Sequence, residues 1–165
     1  MNKIKSACFT GHRKISENDK SLFDKVVKCV EKLISDGITD FYAGGAIGFD
    51  TIAEKAVLYL RDVKHLPIKL HLVLPCRNED QTKNWTQDQK FQLNVIQKKA
   101  DSVEFTSNKY HPSCMKIRNA RLVELADDAC ICYLKPNSKS GTAQTVKYAT
   151  DKGLDIYNLY GTDET

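Results

Sequence analysis

The stretch "YAGGAIGFDTIAE", residues 42–54, places three of the chain's 8 glycines within five positions, at Gly44, Gly45 and Gly48. An apolar run at 38–43 leads into it, and an amphipathic segment follows. Glycine lacks a Cβ atom, so such a turn lets the backbone bend sharply or lets a ligand come close to it. The stretch predicts a strand, a tight turn and a helix N-terminus, whose unpaired N–H groups can bind an anion. A tight turn that binds nothing is the alternative.

Thr51 and Glu54 have the spacing of a capping box, which predicts that the helix begins at this threonine. The carboxylate of Asp50, just before it, would accept hydrogen bonds from ribose hydroxyls, orient the loop after the first strand, or stabilise the helix N-terminus. The glycine spacing is GGxxG rather than GxGxxG, and the pattern GxxxxGK[ST] is absent from the sequence. Neither a dehydrogenase fingerprint nor a P-loop is therefore supported.

Strand and helix patterns alternate along the whole chain. Strands are predicted at 4–9, 38–43, 68–74, 102–105, 129–134 and 154–159, and helices at about 19–35, from Ile52 to Leu60, and at about 83–99, 114–126 and 142–152. Such alternation argues for parallel strands with helices on both faces. The predicted fold class is α/β, a Rossmann-like three-layer sandwich with a mainly parallel sheet of about six strands. The continuous apolar run 129–134 is assigned to the sheet centre.

A chain of 165 residues with 41% hydrophobic and 28% charged residues is typical of one globular domain, so a single nucleotide-binding domain is predicted over 1–165. The net charge of +4 is spread evenly along the chain, which is compatible with an anionic ligand but does not indicate a nucleic-acid track. No apolar run approaches the roughly 18 residues that span a bilayer, and the first residues lack a signal-peptide pattern. A cytoplasmic location without membrane contact is expected.

The six cysteines are expected to be reduced in that compartment. Cys130 and Cys132 lie in the apolar run ACICYL, where cysteine behaves as a small hydrophobe. A CxC pair can ligate a metal, but the sequence has no second pair and no nearby histidine spacing to complete such a site. Buried thiols and no metal site are predicted.

Parallel sheets bind ligands beyond the carboxyl ends of their strands, where the strand order reverses. Two further loops are candidates at this edge. The loop 10–13 (TGHR) follows the first strand, and the loop 135–142 leads into the last helix with two lysines and a candidate cap, Ser140. This second loop can bind phosphate at the helix N-terminus, or it can be an exposed polar turn.

Arg118 is predicted to lie in the middle of the apolar stripe of the helix at 114–126, with Asn119 at its border. A buried guanidinium needs an acceptor, because an unpaired buried charge is costly. A bound phosphate, Asp50 or a structural carboxylate could supply it, and the phosphate is the favoured interpretation. Trp85, the single tryptophan, could stack on a base, cover a pocket or pack its helix onto the sheet.

The chain resembles the SLOG superfamily, which joins the DNA-processing protein DprA and the Lonely Guy (LOG) phosphoribohydrolases. Within it, the closest likeness is to the YpsA-like branch of small stand-alone proteins. The matching stretches are, in chain order, "TGHR", "GGAIGFDTIAEKAV", the tryptophan of the following helix, "RNARLVELAD" and "SGTAQTVKYA". The resemblance implies a Rossmann-like sheet that binds a nucleotide or a nucleotide-derived ligand.

The sequence departs from the LOG motif PGGxGTxxE, whose glutamate cleaves the glycosidic bond together with an upstream arginine. Arg118 matches that arginine and 141–142 match the GT pair, but Thr145 stands at the glutamate position and 137–139 (NSK) at the PGG positions. The base of that reaction is therefore missing, and Asp50 and Arg118 are the catalytic candidates. Likeness to DprA is confined to the glycine turn.

These observations predict binding of a nucleotide or an NAD/ADP-ribose-derived ligand at the C-terminal edge of the sheet, as a sensor or carrier that needs no cofactor. The alternatives are a LOG-like phosphoribohydrolase acting on nucleoside 5′-monophosphates and a DprA-like module that binds single-stranded DNA or protein. A homo-oligomer is left open. The predicted ligand-binding residues are Thr10, Gly11, His12, Arg13, Gly44, Gly45, Ala46, Gly48, Asp50, Arg118, Asn119, Ser140, Gly141 and Thr142.

Overall fold

Six strands and six helices alternate along residues 3–161, which are the residues that the computed structural model describes. The strands are β1 (Ser6–Gly11), β2 (Asp40–Ala43), β3 (Lys69–Leu74), β4 (Ser102–Phe105), β5 (Ala129–Tyr133) and β6 (Asp155–Asn158). The helices are α1 (Leu22–Ser35), α2 (Phe49–Asp62), α3 (Asn78–Gln81), α4 (Gln87–Lys99), α5 (Cys114–Leu125) and α6 (Gly141–Lys152). The ends of the predicted 1–165 domain, residues 1–2 and 162–165, lie outside the described residues.

The six strands form one sheet in the order β4-β3-β2-β1-β5-β6, and every neighbouring pair is parallel. The α/β fold class is therefore confirmed. The centre of the sheet is the β2–β1 pair, so the assignment of the run 129–134 to the centre is wrong. That run forms β5, which lies between β1 and β6 and is buried along its whole length. Continuous burial reflects helices on both faces of a strand rather than its place in the sheet.

Side chains of β1 and β5 alternate between two apolar layers. On β1, Phe9 packs in the layer formed with α1, α2 and α4, whereas Cys8 packs in the layer formed with α5 and α6. On β5, Ile131 and Cys130 divide in the same way. Because successive residues of a strand point to opposite faces, the sheet is enclosed between two helical layers. The predicted three-layer sandwich is confirmed.

Two helices begin later than predicted. Asp19, the predicted start of α1, lies before the helix, where it accepts a hydrogen bond from the Tyr133 hydroxyl and pairs with Lys25 Nζ at 3.2 Å. The helix predicted from 83 begins after Thr86, whose Oγ1 accepts from the N–H of Gln89 at 3.1 Å. The Gln89 side chain accepts from the N–H of Thr86 at 2.9 Å. The reciprocal bonds between Thr86 and Gln89 form a capping box, which sets the start of α4.

All six cysteines are free, and Cys130 and Cys132 are fully buried, which confirms the prediction of buried thiols. Burial raises the pKa of Cys29 and of Cys76 to about 11. Within residues 3–161, no three His, Cys, Asp or Glu side chains come together in a way that could hold a metal ion. None of the helices in that range is both long and apolar enough to cross a membrane.

Candidate functional site

A cavity of about 300 Å³ lies at the carboxyl end of β1, where the strand order reverses between β1 and β5. Its walls are the loop after β1, the turn into α2, one face of α5 and the N-terminus of α6. The volume is at the lower end of the range of about 300–1,000 Å³ that is usual for ligand pockets. Most of the predicted ligand-binding residues line it: Thr10, Gly11, His12, Arg13, Ala46, Asp50, Arg118, Asn119, Ser140, Gly141 and Thr142.

Three apolar side chains that were not predicted complete the lining: Phe9, Met115 and Leu122. Met115 and Leu122 lie three residues before and four residues after Arg118, on the same face of α5. The helical spacing that predicted the position of Arg118 therefore also indicated that these two residues lie beside it.

Gly44, Gly45 and Gly48 do not line this cavity, and protein atoms fill the space that their side chains would need. A Cβ atom on Gly44 would lie 2.5 Å from Nη1 of Arg118 and 3.0 Å from Oδ2 of Asp50. The first distance is shorter than real Cβ contacts, and the second is tighter than most of them. Glycine at position 44 thus makes room for a buried arginine and a buried aspartate.

The other two glycines of the turn pack against neighbouring segments in the same way. A Cβ on Gly45 would lie 2.2 Å from Cδ2 of Leu74, and one on Gly48 would lie 2.2 Å from the main-chain oxygen of Arg13. Their φ angles of +70° and +80° are also ones that residues with a Cβ adopt at a cost. The turn is glycine-rich because it packs against the protein itself.

Two N–H groups of this turn have acceptors within the protein. The Gly45 N–H donates to the Glu54 carboxylate at 2.9 Å, and the Ala46 N–H donates to Oδ2 of Asp50 at 3.2 Å. These are the backbone groups that the sequence assigned to a phosphate. In the structure two buried carboxylates take that place.

Helix α2 begins at Phe49, so the capping box predicted at Thr51 is wrong. The Phe49 N–H donates to the main-chain oxygen of His12 at 3.2 Å. The Thr51 hydroxyl donates back to the main-chain oxygen of Ala46 at 3.0 Å instead of accepting from the helix. The sequence pattern failed because the loop after β1 supplies a hydrogen-bond acceptor, the main-chain oxygen of His12, to the first turn of the helix.

Asp50 is a buried carboxylate at the cavity wall, 5% exposed. Its Oδ1 atom has no hydrogen-bond partner among residues 3–161. Burial raises the pKa of Asp50, and the positive charge of Arg118 opposes that rise. For the neighbouring Glu54, burial and then the Asp50 charge raise the pKa well above its ordinary value. Glu54 is therefore the carboxyl favoured to hold a proton, while Arg118 favours the charged form of Asp50.

Arg118 is 6% exposed and has protein acceptors for part of its guanidinium. It donates to the main-chain oxygen of Gly44, to Oδ1 of Asn119 at 2.8 Å from Nε, and to the Met115 sulfur at 3.7 Å from Nη2. Burial lowers its pKa, and the Asp50 charge opposes the fall. A guanidinium carries five N–H donors, so these contacts leave donors available at the wall of the cavity.

The N-terminus of α6 forms another wall of the cavity. Oγ of Ser140 accepts from the Ala143 N–H at 3.3 Å, which confirms Ser140 as the helix cap, and the Ser138 hydroxyl donates to the same Oγ at 2.8 Å. Gly141 and Thr142, the next two residues, line the cavity. The first turn of a helix carries a partial positive charge and unpaired N–H groups, so this wall suits an anion.

Two other side chains limit the chemistry of the site. Thr145, at the position of the LOG glutamate, is fully buried and its Oγ1 donates to the main-chain oxygen of Gly141 at 2.8 Å. His12 accepts at Nε2 from the Lys135 N–H at 3.0 Å, and burial followed by the Lys135 charge lowers its pKa. The imidazole is therefore held neutral, with Nδ1 as its donor.

A known structure shares this fold. It is described as giving the single-stranded DNA binding mode of DNA processing protein A from Helicobacter pylori. The TM-score is 0.62 and the sequence identity is 17%. The likeness covers 92% of this chain but 63% of that chain, so the present protein spans less than two thirds of its length. A comparison with the curated proteins finds no match.

A protein-family model, described as the YspA SLOG family, matches residues 9–163. The matched range contains the glycine turn and every residue that lines the cavity. The resemblance seen in the sequence is thereby confirmed, and the chain belongs to the YspA SLOG family.

Proposed function

We propose that the cavity between β1, α5 and α6 binds the phosphate-bearing end of a nucleotide or of an NAD/ADP-ribose-derived ligand, as a sensor or carrier. One observation carries the proposal: a buried arginine with donors to spare and the N-terminus of α6 converge on the same cavity. Asn119 links the two, because it accepts from Arg118 and its Nδ2 lies 3.5 Å from where a Cβ of Gly141 would be. A phosphate supplies the acceptors that both groups lack.

The remaining polar groups suit the sugar of such a ligand. Asp50 lines the cavity and has an oxygen without a hydrogen-bond donor among the described residues. A ribose hydroxyl is a donor of the kind that this oxygen lacks. Arg13 adds a second positive charge at the rim, where it is exposed to solvent.

We infer binding rather than hydrolysis of the glycosidic bond. Thr145 offers no carboxylate and its hydroxyl is used within α6. The remaining catalytic candidates are Asp50 and Arg118, and of these only Asp50 could act as a base. Release of ribose 5-phosphate from nucleoside 5′-monophosphates, lost in Asp50→Asn, would overturn this part of the proposal and support the phosphoribohydrolase.

Thermal melting of the purified protein against AMP, ADP, ADP-ribose, NAD and ribose 5-phosphate tests the binding. A ligand at 100 times its dissociation constant adds about 2.7 kcal/mol to the free energy of unfolding, which is a visible shift in melting temperature. Arg13→Ala and Arg118→Lys should reduce that shift. Arg121→Ala should keep it, because Arg121 lies on the same helix but pairs with Glu104 and Glu124. Failure of every compound to shift the melting temperature would refute the proposal.

Single-stranded DNA is the second candidate, because the fold is shared with a protein whose structure is described by its single-stranded DNA binding mode. Binding through phosphates weakens steeply as salt rises. Binding of a labelled single-stranded oligonucleotide that shows this salt dependence, and that survives Arg13→Ala and Arg118→Lys, would favour DNA bound outside the cavity. Loss of binding in both variants would place the strand's phosphates in the cavity.

A further inference from the structure

A second cavity of about 720 Å³ adjoins the first, and Arg13 and Met115 line both. We propose that this second cavity binds the heterocyclic base of the nucleotide whose phosphate occupies the first. The inference rests on the proposed function and extends it: the ligand is one that presents a phosphate and an aromatic base with a hydrogen-bond donor on its edge. Trp85, Tyr110 and Gln81 are the side chains that would recognise the base.

Trp85 and Tyr110 provide flat apolar surfaces in this cavity. Trp85 is partly buried and packs against the apolar layer of α1, α2 and α4, so this packing holds its ring in place. The Tyr110 side chain is 58% exposed, and its main-chain N–H donates to Oδ2 of Asp80 at 3.2 Å. Packing thus holds the Trp85 ring, and the backbone of Tyr110 is anchored beside it in the cavity wall. Aromatic side chains are the usual stacking partners of bases.

Gln81 provides the polar half of the recognition. Its side chain is 8% exposed, and Nε2 donates to the main-chain oxygen of Gly45 at 3.0 Å. Because a carbonyl oxygen can only accept, this bond fixes which end of the amide is which. The other end, Oε1, is buried and has no donor among residues 3–161. A ring N–H or an exocyclic amino group of a base is the donor that this oxygen lacks.

The glycine turn connects the two cavities. The main-chain oxygen of Gly44 accepts from Arg118, which lines the first cavity, and that of Gly45 accepts from Gln81, which lines the second. Met115, between the cavities, contacts the Arg118 guanidinium through its sulfur at 3.7 Å. Two consecutive carbonyl groups thus hold one polar side chain in each cavity, which suits a single ligand that reaches across both.

The experiment uses Trp85 as its own probe, because it is the only tryptophan in the chain. AMP and ribose 5-phosphate are titrated separately while tryptophan fluorescence is followed, and their affinities are measured in parallel by calorimetry. We expect AMP to quench Trp85 and to bind about tenfold more tightly than ribose 5-phosphate, which binds without quenching. Tyr110→Ala and Trp85→Leu should bring the affinity for AMP down towards that for ribose 5-phosphate. The affinity for ribose 5-phosphate itself should not change in either variant.

Each outcome decides between the two proposals. Equal affinities for AMP and ribose 5-phosphate, with unchanged fluorescence, would overturn the base site and leave the phosphate site standing. Failure of both compounds and of every other nucleotide to bind would overturn both. A short single-stranded oligonucleotide that quenches Trp85 where AMP does not would support the base site and identify the source of the base as a nucleic-acid strand. Because the Tyr110 side chain is largely exposed, Tyr110→Ala keeps the test valid if Trp85→Leu fails to fold.

Discussion

Two turns lead from the carboxyl edge of the sheet into helices, and they differ in what fills them. The turn at 44–48 enters α2 with three glycines and no side-chain cap, and protein atoms occupy the space beside each glycine. The turn at 135–140 enters α6 with a serine cap and opens onto the cavity. The glycine turn therefore positions neighbouring side chains, whereas the serine turn faces the proposed ligand.

The difference also lies in the N–H groups of the two turns. In the glycine turn, Glu54 and Asp50 accept from the N–H groups of Gly45 and Ala46. A second anion at those N–H groups would meet the charge of Asp50. The residues of the α6 wall that line the cavity, Ser140, Gly141 and Thr142, carry no carboxylate, so the field of that helix terminus is available to a phosphate. Four substitutions test this division of roles.

The largest effect is expected from Arg118→Leu, which removes the positive charge beside the glycine turn. It leaves the Gly44 carbonyl without its donor and Asp50 without its nearest opposite charge. Breaking a buried charge network in this way costs about 3–5 kcal/mol. Urea unfolding measures the loss, and Arg121→Leu is the control, with an expected loss of about 0–1 kcal/mol because its ion pairs are solvent-exposed. Equal losses in the two variants would contradict a structural role for Arg118.

Gly48→Ala tests whether the glycine turn is filled by the protein. The added Cβ would meet the backbone oxygen of Arg13, which cannot move aside, at a positive φ. We expect a loss of about 3 kcal/mol in the free energy of unfolding from overpacking and backbone strain together. Gly153→Ala is the matched control: its φ is +92° but no atom lies within 4 Å of the new Cβ, so only the strain of about 1–2 kcal/mol applies. A smaller loss for Gly48→Ala than for Gly153→Ala would refute the packing argument.

Glu54→Gln tests the buried carboxyl behind the turn through pH. Burial raises the folded-state pKa above the ordinary value of 4.5, so the folded protein keeps a proton that the unfolded chain releases. Stability is therefore expected to fall as pH rises above about 4.5 until the folded pKa is passed, by at most about 1.4 kcal/mol per pH unit. Glutamine still accepts from Gly45 but does not titrate, so urea unfolding of the variant at a series of pH values should show a flatter curve.

The matched control for this pH test is Glu124→Gln, which changes an exposed glutamate. The Glu54→Gln curve should be flatter than the curve of this control. If the Glu54→Gln curve has the same slope as the curve of the unmodified protein, then the folded state does not raise the pKa of Glu54.

The smallest effect on stability is expected from Ser140→Ala, which removes the cap of α6. Loss of a helix cap costs about 1 kcal/mol. Gly153→Ala, at the C-terminal end of the same helix and outside both cavities, has a similar cost of about 1–2 kcal/mol. Calorimetry with AMP should show weaker binding in Ser140→Ala only. Equal binding in the two variants would mean that the serine turn does not contact the ligand.

The sequence alone predicted every strand and helix of residues 3–161 except the short α3, and the edge of the sheet at which the loops meet. The helix predicted at about 19–35 is α1, and the four of its side chains that are buried, Leu22, Val26, Val30 and Leu33, have helical spacing. Strand and helix alternation predicted the parallel sheet, and its carboxyl edge brought the loops 10–13 and 135–142 to one cavity. These features follow from local periodicity, because the pattern of apolar residues records which face of each segment is buried.

Only the tertiary structure decided what the edge residues touch. Gly44 and Arg118 are separated by 74 positions, and Gly45 and Gln81 by 36, yet each pair shares a hydrogen bond. No local sequence pattern records such a contact. Glycines that pack against the protein therefore cannot be told apart, from the sequence, from glycines that bind a ligand. The same holds for the place of β5 in the sheet and for the first residue of α2. Each depends on free energies of packing between distant segments, which are set when the layers close around the sheet.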